Sequence, residues 1–120
     1  MFIKATANIS PQNTFGTTLP FGKPVEYFTN RLACIEPDYK NYIDAKQIRR
    51  MSRIIRMGVA AAIECLQQAN LQQPDAITTG TAFGCLEDTG NFITRMVEFN
   101  ETLLSPTSFI QSTHNTIGAQ

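Results

Sequence analysis

The sequence has no tryptophan, a single histidine, and charged residues at only 17% of its 120 positions. Lys plus Arg and Asp plus Glu number ten each, so the formal net charge is zero. A balanced chain sets up no long-range field toward nucleic acid or an anionic membrane, and neither is expected as a partner. Any electrostatic partner must be recognised by a local patch. Long apolar runs are missing as well. No stretch nears the ~20 apolar residues of a membrane-spanning helix, and residues 1–10 carry neither an apolar h-region nor a cleavage pattern. The expected compartment is the cytoplasm. Cys34, Cys65 and Cys85 form an odd set without metal-ligand spacing, which fits reduced thiols; no metal or cofactor is expected. His114, alone and without a neighbouring Cys or carboxylate, is a poor ligand or base.

What is present is globular in composition, at 42% hydrophobic. The length suits one domain over 1–120, able to bury roughly 65% of its unfolded surface. Phe2–Ile9 half-alternates and predicts a first strand. Residues 11–44 concentrate Pro11, Pro20, Pro24 and Pro37 with Phe15, Phe21, Tyr27, Phe28, Tyr39 and Tyr42. They read as an ordered, irregular excursion with one or two short strands around Tyr27–Ile35. Asp44 starts a helix, with Gln47 placed for a capping box. Ile48, Met51, Ile55, Val59, Ala62, Leu66 and Ala69 draw one apolar stripe along it to about Ala69, where Asn70 and Pro74 end it. Asp75–Gly80 predicts a strand and Cys85–Asn100 a second helix, weakened at Gly90. Leu104-Ser105-Pro106 punctuates, and 112–120 opens a further helix. Strand, long helix, strand, helix is α/β grammar.

Several segments, in order, resemble the thiolase-fold β-ketoacyl-acyl-carrier-protein synthases. They are the first strand with S-P-x-x-x-x-G (Ser10–Gly16), and Arg49-Arg50-Met51-Ser52-Arg53 leading an alanine-rich helix that ends A-N-L. They continue with T-T-G-T-A-F-G-C-L-E-D, and with S-P-T-S-F-I-Q-S-T-H-N-T-I-G-A-Q, in which Asn115 falls on the family asparagine. Ser52, Cys85 and Gln120 depart from the usual Asp, Gly and His, and Asn8 stands near a usual glycine. The resemblance implies a partial thiolase-like half-lobe, an incomplete βαβαβ unit with a long central helix, normally homodimeric. It also implies an N-terminal portion of a 3-oxoacyl-[acyl-carrier-protein] synthase of fatty-acid or polyketide-type biosynthesis, ending before the nucleophilic Cys and the catalytic histidines. No catalytic residue transfers. The alternative is a non-catalytic carrier-protein-binding or dimerisation module of the chain-length-factor kind. Truncated apolar faces around Ile117 would favour self-association.

Two sets of residues then become candidates. Lys46, Arg49, Arg50 and Arg53, with Arg56 beyond them, run without an acidic residue between Asp44 and Glu64. By the resemblance, Lys46, Arg49 and Arg50 lie where an acidic acyl carrier protein docks. Four cations at a helix start oppose its dipole, a placement that favours function over mere solvation. Phe83 matches the apolar residue gating the acyl pocket, and Phe109 matches the pocket border. Cys85, at a helix start, is the tempting nucleophile, but the same position suits a small packed residue. Gly80 and Gly84 lack the remaining residues of a phosphate-binding loop.

Overall fold

The computed structural model describes residues 2–17, 23–102, 104–113 and 116–118. Four helices follow a single 3-10 turn at Tyr39–Asn41: α1 (Ala45–Ile48), α2 (Arg53–Gln68), α3 (Leu86–Glu98) and α4 (Pro106–Ser112). The described residues contain no strand. The expected α/β architecture, a partial thiolase-like half-lobe, is therefore corrected to an all-helical arrangement with long irregular connections. Residues 2–9 and 76–81 do run without helix, turn or bend, but neither has a neighbour making a ladder. The 27–35 stretch likewise forms no strand. A strand exists only by pairing, and a lone unbent segment leaves its N–H and C=O groups to water. The alternation survives without the sheet: Ala5, Ala7 and Ile9 are half-buried while Lys4, Thr6 and Asn8 are exposed.

The helix expected over 44–69 is two helices. Asp44 caps as anticipated, its Oδ1 accepting from the Lys46 amide at 2.8 Å, but α1 stops after one turn. Ser52 then takes extended backbone and begins α2 afresh without a side-chain cap bond. Splitting the run moves Lys46, Arg49 and Arg50 out of the first turn of the long helix, where their charges would oppose its dipole. Asn70, at φ 53°, ends α2 in the left-handed region, with the Leu71 amide donating to the Leu66 carbonyl at 3.0 Å. α3 forms where its apolar spacing placed it. Gly90 lies within it, and a Cβ there would meet nothing within 4 Å, so no close approach calls for the glycine. The Ser105-Pro106 pair is a helix start, not a stop: Ser105 Oγ accepts from the Ser108 amide and proline occupies the first turn. Ser112 closes α4, Thr113 is a bend and 116–118 a turn, so no further helix opens in the described part of 112–120. His114, Asn115 and Gln120 lie outside the described residues.

The excursion is tied down by side chains instead of ladders. Gln12 brackets Val25, donating Nε2 to its carbonyl at 3.0 Å and accepting its amide on Oε1 at 2.7 Å. Tyr27 donates to the Pro11 carbonyl, and the Phe15 and Tyr42 rings meet edge to face at 5.3 Å. Among the described residues the buried side chains are few: Ile43, Ile55, Ala60, Ala69, Cys85 and Thr116. Around them α2 passes so close to the C-terminal turn that a Cβ on Gly58 would meet Ile117 Cγ2 at 3.2 Å. The radius of gyration is 16.7 Å, where a compact chain of this length has roughly 14 Å. The accessible surface is 9760 Å², against roughly 6,500 Å² for a folded monomer of 13.3 kDa. Phe2, Ile3, Phe28, Ile77, Phe83, Leu86 and Val97 stand largely exposed. This chain leaves much of its apolar surface uncovered.

Candidate functional site

The basic run divides into two environments. Lys46 sits on α1 and Arg49 and Arg50 on the turn after it; all three are exposed, and none makes an ion pair among the described residues. The turn is braced from α4, whose Gln111 Nε2 donates to the Arg50 carbonyl. Arg53 is engaged differently. Its Nε donates to Glu36 Oε1 at 2.6 Å, and Glu36 Oε2 accepts from the Tyr39 hydroxyl at 2.5 Å. The Arg56 guanidinium lies over the Tyr39 ring, 5.6 Å from its centroid. The excursion is thus pinned to the first turns of α2 through one carboxylate.

Burial alone would raise the Glu36 carboxyl, but the Tyr39 hydrogen bond, the Arg53 contact and the Arg56 charge together hold it below its ordinary value. Desolvation and the Glu36 carboxylate push the Tyr39 hydroxyl well up, so it stays a proton donor. A carboxyl lowered in the folded state contributes stability that is complete above its unfolded pKa and is lost as pH falls through the folded one. Urea unfolding of Glu36→Gln is therefore expected to lose less stability than wild type between about pH 6 and pH 3. The difference should be at most about 1 kcal/mol, because both partners are partly exposed. Equal losses would show that the pair contributes nothing to acid sensitivity.

Arg53 and Phe83, expected in separate roles, line one cavity of about 520 Å³ with Ser52, Arg56, Cys85 and Asp88. It opens between the N-terminal ends of α2 and α3. Ser52 Oγ and Arg56 Nε are buried there without hydrogen-bond partners. Phe83, 77% exposed, forms its apolar rim. Phe109 is held elsewhere, on α4 against Phe92 of α3, with ring centroids 5.7 Å apart. Glu36 and Tyr39 were not legible as parts of this site. Glu36 lies 17 residues before its partner, in a segment without periodicity, and no local spacing marks the pair.

Cys85 caps α3 but is buried, and burial with the nearby Asp88 carboxylate pushes its thiol up from the ordinary value. That is the reverse of what a nucleophile needs. Cys34 and Cys65 are partly exposed. A maleimide reagent on the native protein is expected to label Cys34 and Cys65 first, with Cys85 modified only after denaturant is added. Fast native labelling of Cys85 would reverse this assignment. Among the described residues no group of three or more His, Cys, Asp or Glu could hold a metal, and no helix is long and apolar enough to cross a membrane. No family model, curated protein or solved structure matches the chain.

Proposed function

We propose that this chain is a non-catalytic docking module for an acidic acyl carrier protein, serving 3-oxoacyl-[acyl-carrier-protein] synthase-type chemistry whose reacting groups lie on other residues. The observation that carries the reading is the exposed trio Lys46, Arg49 and Arg50, uncompensated among the described residues, in a chain whose net charge is zero. Local positive potential on a neutral background selects by patch and steers an acidic partner. Arg53, three residues after Arg50, lines with Phe83 an opening of about 520 Å³, which is the cavity in reach of the same helix start.

The docking reading does not need the sheet. The half-lobe expected from the resemblance did, and no strand lies at 75–80 among the described residues, so the proposal is confined to docking. Titration of an acidic acyl carrier protein against the chain tests the proposal, with an unrelated protein of equal negative charge as control. Saturable binding of the carrier alone supports it. Equal binding of both proteins, or of neither, would reduce the trio to a solvated polar face.

A further inference from the structure

We infer that Arg53 is a carboxylate-binding site held shut by this chain's own Glu36, which an acidic segment of a partner docked on Lys46, Arg49 and Arg50 displaces. The inference deepens the docking proposal and rests on it for the identity of the partner.

The site already shows what chemistry it takes. Glu36 engages it through both oxygens, Oε1 accepting from Arg53 Nε at 2.6 Å and Oε2 from the Tyr39 hydroxyl at 2.5 Å. A guanidinium offers five N–H donors in a planar fork, and this contact uses one. No other hydrogen bond reaches the Arg53 side chain among the described residues, and it is 51% exposed even while paired. An incoming carboxylate therefore has the terminal nitrogens open to it and can form two parallel bonds where Glu36 forms one. Arg56 lies over the Tyr39 ring, and its Nε is buried without a hydrogen-bond partner. Buried donors are rarely left so, and this one marks donor capacity at the start of α2 that Glu36 does not use.

Glu36 is also easily moved. It comes from 31–38, a run without helix, turn or bend. Between 26 and 37 one backbone–backbone hydrogen bond is present among the described residues, from the Ile35 amide to the Ser10 carbonyl at 2.8 Å, and turning the Glu36 side chain away does not break it. An ion pair this exposed contributes little in water, so a competing carboxylate has a small free energy to overcome. Arg50 precedes Arg53 by three residues, and a partner held on the trio keeps its own carboxylates near Arg53 at high effective concentration. Displacement also strengthens the patch. The carboxylate that neutralised Arg53 withdraws, and the local charge facing the partner rises by one unit.

Calorimetric titration of an acidic acyl carrier protein, and separately of hexaglutamate, into the full chain tests this, with the Arg53 Nε–H resonance followed by NMR. Expected is movement of that resonance as either probe binds. Glu36→Gln should bind each probe about two- to fivefold more tightly, the equivalent of one exposed ion pair, with a steeper loss of affinity as salt rises. Tyr39→Phe, which frees Oε2 but keeps a ring beneath Arg56, should shift affinity the same way by less. Adding Arg53→Gln to Glu36→Gln should cancel the gain. A tie that is only structural predicts the opposite sign, because loosening the excursion then costs binding or leaves it alone. Affinities in Glu36→Gln that equal or fall below those of wild type overturn the inference, as does an Arg53 resonance that neither probe moves. Carrier that binds wild type and Glu36→Gln alike sinks this inference and leaves docking standing. Hexaglutamate binding that tightens in Glu36→Gln while the carrier does not bind sinks only the docking proposal.

Discussion

Ile55→Ala is expected to unfold the chain at conditions where wild type is folded, or at least to lower its stability by about 2–5 kcal/mol. Ile55 is the largest side chain that is fully buried, at 1% exposure, and it stands on α2 near the centre of a core of very few residues. Truncation removes roughly three buried methyl or methylene groups and leaves a cavity whose cost adds to the lost transfer free energy. In a well-buried domain that loss is a fraction of the total. Here so much apolar surface is exposed that the core has little margin, and each kcal/mol shifts the melting temperature of a small domain by about 4–8 °C. Thermal unfolding followed by circular dichroism reads the effect directly. Ile54→Ala, one residue away and 37% exposed, is the matched control and should cost far less. Similar melting temperatures for the two variants would mean that the α2 face assigned to the core is not the one buried.

The stripe that located Ile55 was legible because helical burial is a local pattern. Residues three and four apart share a face whatever the rest of the chain does, so spacing alone located the bodies of α2 and α3, with Asp44 marking the start of α1 and Asn70 the end of α2. The sheet was not legible for the opposite reason. Alternation at 2–9 specifies which side chains share a face, and that alternation is present in the burial of Ala5, Ala7 and Ile9. It says nothing of whether a second strand lies alongside, because that neighbour is set by distant residues. The break between α1 and α2 was hidden by an unbroken apolar stripe. What divides them is the capping backbone at Ser52, a residue whose departure from the family pattern was visible but whose consequence was not. Ser105-Pro106 was misread as punctuation although serine followed by proline is also how helices begin. At the site, the cations could be found as a run. The partner that withdraws Arg53 from it, Glu36, could not.

That withdrawal decides which residues the docking proposal should be tested on. Reversing Arg53 would break the Glu36 contact and disturb the Tyr39–Arg56 stack, mixing a loss of binding with a loss of structure. Arg49 and Arg50 have no such commitments: both side chains are exposed, and the one contact at the turn uses the Arg50 backbone carbonyl, which substitution leaves in place. Arg49→Glu with Arg50→Glu changes the local charge by four units, turning attraction toward an acidic carrier into repulsion. Rim charges act chiefly through association rate and salt dependence, so the expected result is at least about a tenfold weaker carrier affinity, most of it in the on-rate. The unfolding free energy should stay within the range of ordinary surface substitutions, roughly ±0.5 kcal/mol. Raising ionic strength from about 0.05 to about 0.5 M shortens the screening length below the span of the patch. Wild-type affinity should then fall toward that of the variant, while the variant itself barely responds. Lys46→Glu alone should give a smaller shift in the same direction. A double variant that binds the carrier as tightly as wild type, with the same salt slope, would leave these three cations no part in recognition, however exposed they are.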